Sequence, residues 1–504
     1  MEKSHRLEVA IGKRNASFPE ERCLWWNGSW WSRKTFEEKV GAAARTLEAG
    51  GFRAGERVAC FLPNSPSVLV LSVAAWKLGG TLIPLNMKAG TPSILKILRH
   101  VEPAGVFLHE SMEPLAQALG QEGIPAAVIG LEGVLPPPAL RPVTRESSDM
   151  AVIFATSGTT GDPKAVPLTH ANLLDNATNV HENIEGFETG RVLMNVLPNF
   201  HAFGYTICGL LSLLFGLPQV LLPSFIPLKS FFEALRATRT EVLIAVPTML
   251  PFILGAVAKG EECPDSLKYI LTGGGRLDPT LDRRVRDTLG VVVFEGYGLT
   301  ETSPDVASNR SFATKKLGTV GQALPSFEIQ VRDQSGNVLG PNQEGILWVR
   351  GPSVFSGYFR SPEMTAERIV DGWFNTGDIV RVDEEGYIEI LDRASDLIIV
   401  GGFNVYPQEI ETVLNQVPGV AMSAVIGIPN AVSGEVPKAF VVPKEGARLT
   451  AQSLIAHCKE HLAHYKVPRK VEFVSELPLS SVGKVLRREL RRLEKDSVKP
   501  VQEA

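Results

Sequence analysis

The sequence predicts an α/β protein with a large N-terminal domain of packed α/β sheets, a small antiparallel β module and a small α+β C-terminal domain. The chain has 504 residues, which is enough for two or more domains. Short apolar strands alternate with helical segments over the first two-thirds, which favours mainly parallel sheets. From about Gly318, strands of alternating polarity are separated by Gly, Asp and Asn turns, which is typical of antiparallel sheet.

Helix and strand patterns follow one another in the predicted N-terminal domain. The sequence predicts an amphipathic helix over 34–49 and a second helix over 67–78. Apolar runs predict short buried strands at 57–62, 81–85, 150–155, 241–246, 269–271 and 291–294. The most apolar stretch, 205–228, is interrupted by glycines and prolines, so we interpret it as a buried helix, a turn and a buried strand.

The last third of the chain has a different pattern. Strands at 328–332, 345–350 and 387–391 form the predicted β module, which occupies about 318–392. A mixed unit then begins, with a strand at 397–400, helices near 409–416 and 451–462, and strands near Ala424 and Phe440. We therefore expect a domain boundary at about 392, giving an N-terminal domain of 1–392 and a C-terminal domain of 393–504.

Composition and charge argue against several classes of function. The formal net charge of -4 gives no strong field to attract nucleic acid, so no nucleic-acid partner is expected. No apolar run of about 20 residues is uninterrupted, so no transmembrane segment is expected, although peripheral membrane contact stays open. The five cysteines form no C-x-x-C pair, which indicates neither a disulfide framework nor a cysteine zinc site and favours the cytoplasm.

Nine residues after the predicted strand 150–155 combine hydroxyl side chains, glycines and a lysine. Glycines let the backbone approach an anion, hydroxyl and N–H groups donate to phosphate oxygens, and Lys164 adds a positive charge. A flexible polar turn is the alternative. The usual P-loop does not fit, because Ala165 follows the lysine where Ser or Thr is required. The loop consists of Thr156, Ser157, Gly158, Thr159, Thr160, Gly161, Asp162, Pro163 and Lys164.

Two glycine-containing segments follow predicted strands further along the chain. In 296–302, Tyr297 offers a flat face for a nucleobase, Thr300 a hydroxyl for a phosphate and Glu301 an oxygen ligand for a hard cation. The segment 272–277 contains three consecutive glycines, Gly273, Gly274 and Gly275. Each segment in isolation is equally compatible with an ordinary turn after a strand.

Two polar residues near the C-terminus could contact a nucleotide. In isolation, Asp378, in 374–378, is more typical of an ordinary turn aspartate, although its carboxylate could accept hydrogen bonds from both hydroxyls of a ribose. Lys484, in 479–485, could neutralise charge that develops on a phosphate, with a solvated surface lysine as the alternative.

Taken in order, these motifs resemble those of the adenylate-forming superfamily, which includes acyl-CoA synthetases, adenylation domains of peptide synthetases and luciferases. The resemblance extends from about residue 34 to about residue 488 and is greatest to medium- or long-chain fatty acyl-CoA ligases. It implies that a small-molecule carboxylic acid is activated by ATP to acyl-AMP, with release of pyrophosphate, and is then transferred to coenzyme A. It also implies a requirement for Mg²⁺ and a small C-terminal domain that rotates between the two steps.

The resemblance implies roles for individual residues. It implies catalysis by Lys484, Lys164 and His201, and Mg²⁺ binding by Glu301. A pivot falls at Ser395, where the family usually has Asp or Lys. Coenzyme A binding falls to Gly401, Gly402, Phe403 and Lys466, although a solvated role suits Lys466 equally well. ATP and AMP binding falls to Thr156, Ser157, Gly158, Thr159, Thr160, Gly161, Lys164, Gly273, Gly274, Gly275, Tyr297, Gly298, Thr300, Asp378, Arg393 and Lys484.

The acyl pocket is expected around His201, Phe203, Gly204 and Ile207, together with 246–249, 273–275 and 298–304. This set is mostly apolar, so it favours an uncharged acid, because a second carboxylate would be buried without a partner. A fatty acid is the main prediction, and an aryl acid is an alternative.

Other functions remain as alternatives to a coenzyme A ligase. An enzyme that loads acyl-AMP onto a carrier protein is the nearest, but the extra segment of such relatives is not evident between 351 and 392. A luciferase-like oxidoreductase and an inactive nucleotide-binding homologue rank lower. The joint presence of Lys164, Glu301, Asp378, Arg393 and Lys484 argues against an inactive protein. Either a monomer or a homodimer is expected.

Overall fold

The computed structural model describes residues 5–136, 140–147, 149–157, 163–479 and 485–498. The chain divides into two compact units. The first contains Met1–Ile329 and Val349–Phe374, and the second contains Gln330–Trp348 and Asn375–Ala504. The predicted α/β class with a large N-terminal and a small C-terminal domain is confirmed. The predicted boundary at 392 stays a prediction, since compactness divides the chain earlier, within the β module.

The helices and strands have the following bounds in chain order. The α-helices are α1 Leu7–Ser17, α2 Arg33–Ala49, α3 Pro66–Lys77, α4 Thr91–Val101, α5 Glu113–Gln121, α6 His170–Asn183, α7 Leu211–Phe215, α8 Leu228–Thr238, α9 Leu250–Val257, α10 Pro279–Leu289, α11 Pro362–Arg368, α12 Pro407–Asn415, α13 Ala451–His461 and α14 Arg487–Val498. A π-helix spans Phe203–Leu210, and 3₁₀ turns span Glu110–Met112, Pro247–Met249, Thr300–Thr302 and His464–Lys466. The strands are β1 Arg22–Trp26, β2 Ser29–Ser32, β3 Arg57–Phe61, β4 Thr81–Pro84, β5 Gly105–Leu108, β6 Ala126–Val128, β7 Met150–Ser157, β8 Pro163–Thr169, β9 Leu193–Asn195, β10 Gln219–Leu221, β11 Val242–Ala245, β12 Tyr269–Thr272, β13 Val292–Gly298, β14 Asp305–Ser308, β15 Gln322–Ala323, β16 Glu328–Arg332, β17 Glu344–Arg350, β18 Ile369–Val370, β19 Trp373–Val382, β20 Ile388–Arg393, β21 Ile398–Val400, β22 Phe403–Val405, β23 Val420–Asn430, β24 Gly434–Pro443 and β25 Lys470–Phe473.

Two sheets form the framework of the first unit. One has nine strands in the order β15-β14-β13-β12-β11-β9-β10-β1-β2, and the other has six in the order β6-β5-β3-β4-β7-β8. Neighbouring strands run parallel from β1 through β13 in the first sheet and from β6 through β7 in the second. The expected mainly parallel sheets are therefore present, with antiparallel strands only at their edges.

Two buried helical segments link these sheets. Helix α3 is buried on every side, since 11 of its 12 residues are shielded from solvent. Trp76 on α3 donates from Nε1 to the carbonyl of Ala151 on β7. The Tyr205 hydroxyl on the π-helix donates to Ser72 on α3, and Gln219 on β10 donates to the carbonyl of Gly209 on the π-helix. Side-chain hydrogen bonds to backbone thus complement the apolar packing of this layer.

The second unit is built on a sheet in the order β22-β21-β24-β23, with β25 also paired to β24. Helices α12 and α13 cover one face through Ile410, Leu414 and Leu454, which pack with Val425 and Val441. Leu490 of α14 packs with residues of β23 and β24 in a separate apolar cluster. A sheet covered on both faces explains why the apolar residues of β23 and β24 form near-continuous runs.

The predicted elements correspond closely to those observed. The stretch 205–228 contains a helix, a left-handed turn at Gly216 and the strand β10, as expected, although residues 205–210 belong to a π-helix that begins at Phe203. Strands β18 and β20 each run antiparallel to β19, as expected for the β module. Among the helices in the described part of the chain, none combines the length and the apolar character needed to cross a bilayer.

Candidate active site

The predicted phosphate loop lies at the end of the β7–β8 hairpin. Backbone pairing continues to Thr156 opposite Lys164 and to Ser157 opposite Pro163, so four residues of the predicted loop belong to strands. Gly158, Thr159, Thr160, Gly161 and Asp162 lie outside the described residues. Lys164 is half-buried at the start of β8, and its position on a paired strand fixes the point from which its side chain extends.

Tyr358 connects two of the predicted site residues. The Nζ of Lys164 lies 5.1 Å from the centre of the Tyr358 ring, a cation–π contact. The Tyr358 hydroxyl donates to Oε1 of Glu301 at 2.9 Å. The structure therefore brings the predicted phosphate-binding lysine and the predicted metal ligand to the two ends of one tyrosine side chain.

Backbone hydrogen bonds hold Tyr358 in this position. The Phe359 N–H donates to the carbonyl of Ala165 at 2.9 Å, next to Lys164. The Phe355 N–H donates to the carbonyl of Glu301, also at 2.9 Å. The segment 355–359 is thus fixed at one end to β8 and at the other to the 3₁₀ turn that carries Glu301.

Asn176 on helix α6 holds the segment that carries Glu301. Its side-chain amide donates to the carbonyls of Thr302 and Asp305 at 3.2 and 2.8 Å, and its oxygen accepts from the Asp305 N–H at 3.1 Å. Asn176 is fully buried. These bonds satisfy backbone groups that the irregular turn at 300–304 would otherwise leave unpaired.

The same face of α6 holds the segment before Tyr358. Asn172 donates to the carbonyls of Pro352 and Val354 at 2.6 and 3.2 Å. Ser353 donates from its hydroxyl to Asp175 at 2.5 Å. Successive polar residues of one helix therefore position both segments that contribute to the Lys164–Tyr358–Glu301 cluster.

The predicted nucleobase segment lies at the end of β13. Tyr297 is half-buried and Gly298 is exposed. A side chain at Gly298 would place its Cβ 1.8 Å from the carbonyl oxygen of Pro304, so this close approach requires glycine. Gly274 has a φ of +76°, a conformation that also favours glycine.

Residues of the predicted acyl pocket surround the glycine turn 273–275. A Cβ at Gly273 would lie 3.4 Å from Cζ of Phe203. A Cβ at Gly274 would lie 3.7 Å from Val246, and one at Gly275 would lie 3.8 Å from Pro247. The structure thus brings together three of the four segments expected to form the pocket.

The π-helix carries the remaining predicted pocket residues. A Cβ at Gly204 would lie 2.7 and 2.6 Å from the carbonyl oxygens of Leu197 and Pro198, so the helix packs directly against backbone there. Ile207 is fully buried. His201 is half-buried in the turn before the helix, where its N–H donates to the carbonyl of Pro198.

A buried carboxyl group lies beneath the glycine turn. Glu295 is about 6% exposed, and its Oε1 accepts from the Leu277 N–H at 2.9 Å. Burial raises the pKa of Glu295 to about 7, although the Leu277 N–H acts in the opposite direction. The protonation state of Glu295 is therefore linked to the position of the backbone at Leu277, just after the glycine turn.

In the second unit, two predicted ribose-binding residues form an ion pair. Asp378 on β19 lies directly opposite Arg393 on β20 in the antiparallel register. Nε of Arg393 lies 2.6 Å from Oδ1 of Asp378, whose side chain is almost fully buried. The pairing neutralises a carboxylate that would be costly to bury alone.

The predicted pivot, Ser395, is exposed in the turn between β20 and β21. The next residue, Asp396, pairs with Arg491 at 2.8 Å and with Arg487 at 3.4 Å. Arg487 also binds Glu411 at 2.7 Å. Burial alone would lower the pKa of Arg487, but the surrounding carboxylates, Glu411 first, outweigh it and raise the pKa. Helix α14 is therefore attached to the turn that contains Ser395.

The predicted coenzyme A residues lie around the β21–β22 hairpin of the second unit. Gly401 and Gly402 form its turn, with φ values of +58° and +88°. Phe403 stacks on Tyr465 with ring centres 4.7 Å apart. Lys466 binds both carboxylate oxygens of Glu409 at 2.8 and 2.7 Å, so it is ion-paired. Lys484 lies outside the described residues.

Three residues that shape the site in the first unit were not predicted from the sequence. Glu295 directly precedes Gly296, so its place at the end of a predicted buried strand was a usable indication. Tyr358 and Asn176 gave no local indication, because their partners are 57 and 126 residues away in the chain.

Similarity to known proteins assigns the chain to a family. A model of the AMP-binding enzyme family matches residues 12–359, and a model of the AMP-binding enzyme C-terminal domain matches residues 409–484. The chain belongs to this AMP-binding enzyme family. The family's adenylate-forming CoA ligases use ATP, Mg²⁺ and coenzyme A, and the corresponding predictions are confirmed.

The AMP-binding relatives differ in the acid that their names specify. Feruloyl-CoA synthase of an Amycolatopsis species is 36% identical over 459 residues, covering 90% of this chain and 92% of the relative. Long-chain-fatty-acid–CoA ligase of Bacillus subtilis is 30% identical, covering 96% and 94%. The crystal structure of ATP-bound MatB from Rhodopseudomonas palustris has a TM-score of 0.90 and 31% identity, covering 98% of this chain and 100% of that one. The preference for a fatty acid stays a prediction.

We expect Tyr358→Phe to weaken the use of Mg²⁺ and ATP. The phenylalanine ring retains the contact with Lys164 but cannot donate to Glu301, which loses one hydrogen bond of about 1–3 kcal/mol. The Mg²⁺ concentration for half-maximal pyrophosphate release should rise at least about 5-fold, since 1 kcal/mol corresponds to about that factor. Tyr269→Phe is the matched control, because Tyr269 also donates to a glutamate, Glu185, at the opposite end of β12. Equal Mg²⁺ dependence in both variants would contradict a role for Tyr358.

We expect Glu295→Gln to remove one component of the pH dependence of stability. The pKa of Glu295 is raised from 4.5 to about 7 in the folded protein, so folding favours its protonated form. The wild type should therefore lose up to about 3 kcal/mol of stability, relative to the variant, as pH rises from about 4.5 through 7. Urea unfolding at several pH values measures this difference. A free-energy difference between the two proteins that does not change with pH would refute the assignment.

Proposed function

We propose that this enzyme activates a fatty acid with ATP to form acyl-AMP and pyrophosphate, and then transfers the acyl group to coenzyme A. The observation that carries the proposal is the Lys164–Tyr358–Glu301 cluster in the first unit. The Lys164 cation and the Glu301 carboxylate lie at the two ends of one tyrosine side chain, an arrangement that suits a phosphate chain with its bound metal ion.

The first half-reaction needs position and charge neutralisation more than covalent catalysis. We propose that Lys164 contacts the phosphates of ATP and that Lys484 neutralises charge on the α-phosphate and the attacking carboxylate. Glu301 offers carboxylate oxygens, the ligand type that Mg²⁺ prefers, and Mg²⁺ held there would neutralise phosphate charge. Tyr358 would orient the carboxylate of Glu301 by its hydrogen bond.

We propose nucleotide-binding roles for individual residues of each unit. In the first unit, Tyr297 would stack on the adenine and Thr300 would donate to a phosphate. In the second unit, Asp378 and Arg393 would bind the ribose hydroxyls. The ion pair supports this role, because it holds the Asp378 carboxylate in one orientation before any ligand arrives.

The choice of a fatty acid rests on the apolar surroundings of the glycine turn. Phe203, Val246 and Pro247 lie beside this turn, and Ile207, which follows Phe203 on the π-helix, is fully buried. Such a lining stabilises an alkyl chain by apolar burial and offers no partner for a second charge. An aryl acid is the second candidate, supported by the similarity to feruloyl-CoA synthase.

The second half-reaction is proposed to use the β21–β22 hairpin. Gly401 and Gly402 lack side chains, so they would let the pantetheine arm of coenzyme A pass close to the backbone. Phe403 and Lys466 would contact the same substrate. We propose Ser395 as the pivot that exchanges the two half-reactions, because it is exposed and lies in the turn between β20 and β21.

We expect pyrophosphate release with medium- and long-chain fatty acids, and acyl-CoA formation only when coenzyme A is added. Ferulate and o-succinylbenzoate are the comparison acids, and mass spectrometry of the products separates acyl-AMP from thioester. A higher kcat/KM for ferulate would favour the aryl-acid candidate. Accumulation of acyl-AMP without thioester would favour a carrier protein as acceptor and contradict the coenzyme A step.

We expect Ser395→Pro to slow the overall reaction at least about 10-fold while acyl-AMP formation persists. Proline fixes its own φ and restricts the preceding residue, so it removes the backbone freedom that a pivot needs. Ser395→Ala is the matched control and should retain both activities. The measurements are pyrophosphate release without coenzyme A and thioester formation with it. Equal loss of both half-reactions in the proline variant would contradict the pivot.

A further inference from the structure

The last turn of helix α13, in the second unit, carries two histidines and a glutamate outside every motif described above. His457, Glu460 and His461 are spaced by three and four residues, so they lie on one side of the helix. Leu454 and Cys458 of the same helix are fully buried in the core of the unit. The Cys458 thiol is thus enclosed in the apolar core of the unit and is not counted as a ligand.

The three side chains are already close enough to share a ligand. One potential ligand atom from each lies within 4.8 Å of the other two. The imidazole ring centres of His457 and His461 are 4.3 Å apart, with the planes tilted by 38°. In a tetrahedral site with metal–ligand bonds of about 2.0–2.1 Å, ligand atoms are separated by roughly 3.4 Å, so small side-chain rotations suffice.

Hydrogen bonding also prepares the histidines for a metal. Nδ1 of His461 lies 2.9 Å from the carbonyl oxygen of His457, which requires Nδ1 to carry the proton and leaves the lone pair on Nε2. A backbone carbonyl that accepts the second ring N–H is the usual partner of a metal-bound histidine. Nε2 of His457 is shielded from water and has no hydrogen-bond partner. Because this nitrogen has no hydrogen bond to give up, binding a cation to it costs less free energy.

We propose that His457, Glu460 and His461 form a binding site for a borderline-soft divalent metal ion, best matched by Zn²⁺. Two imidazole nitrogens and one carboxylate oxygen suit Zn²⁺, whereas Mg²⁺ requires oxygen ligands and retains its water. The site is therefore chemically distinct from the magnesium site proposed at Glu301. Glu460 and His461 are exposed, so the ion has access from solvent and a fourth position open to water.

Metal binding should stabilise the end of α13. The ion would join residues in successive turns of the helix and place positive charge at its C-terminus, where the helix dipole favours a cation. Because α13 packs on α12 through the core of the unit, the stabilisation should appear in the unfolding of the second unit.

The test is equilibrium binding of Zn²⁺ to the full-length, chelator-treated protein in the presence of millimolar Mg²⁺. We expect one site, and calorimetry should show that His461→Ala weakens its affinity at least about 10-fold. The double variant His457→Ala/His461→Ala should abolish it. These positions lie on a helix, where alanine is well tolerated, and circular dichroism verifies that each variant is folded. Co²⁺ bound in place of Zn²⁺ gives an absorption spectrum that reports nitrogen ligands. If the histidines had a purely structural role, replacing them would leave this spectrum unchanged.

Two matched controls separate this site from other ligands. His464→Ala removes a histidine three residues beyond the cluster, and Cys263→Ser removes a half-buried thiol in the first unit. Both variants should bind Zn²⁺ as the wild type does. The proposal is overturned if the double histidine variant binds Zn²⁺ with unchanged affinity, or if the wild type shows no saturable binding at micromolar Zn²⁺.

Discussion

The buried amide of Asn176 is the interaction on which the first-unit part of the site depends. The backbone between the 3₁₀ turn Thr300–Thr302 and the start of β14 at Asp305 is irregular, yet Thr302, Ser303 and Asp305 are buried. Asn176 supplies three of the hydrogen bonds that such a segment needs. An amide is suited to this task because it donates and accepts without adding charge. Burial raises the pKa of Asp305 well above its usual range, so its carboxyl also favours the neutral form.

This neutrality matters for the electrostatics of the cluster. An acidic side chain in place of these amides would compete with Glu301 for a metal ion, and it would compete with the phosphates for Lys164. Asn172 and Asn176 act through backbone carbonyls, and Asp175 is bound by serine hydroxyls. The two asparagines thus position the segments that carry Tyr358 and Glu301 without adding charge of their own.

Local periodicity predicts most of the fold, and motif order predicts most of the candidate site. The β19–β20 pair illustrates both kinds of prediction. The motifs indicate Asp378 and Arg393 separately, and the antiparallel register of the two strands places them directly opposite each other. Tyr358 and Asn176 could not be predicted, because a tyrosine in a turn and an asparagine on a helix are commonplace until the tertiary contact is known. The π-helix was not predicted either, and the packing of its Gly204 against the carbonyl oxygens of Leu197 and Pro198 is not indicated by the sequence pattern.

The same close packing limits what can determine the choice of acid. A Cβ at Gly273 would lie 3.2 Å from the carbonyl oxygen of Gly296 and 3.4 Å from the ring of Phe203, so even an alanine would be tight at this position. Gly273 therefore tolerates little change, and we expect variation in the acid to arise instead from residues in and just before the π-helix. There Gly204 is also fixed by contact with backbone. The ring of Phe203 lies beside the glycine turn and His201 is half-buried just before the helix, so we propose these two as the positions at which substrate choice is adjustable.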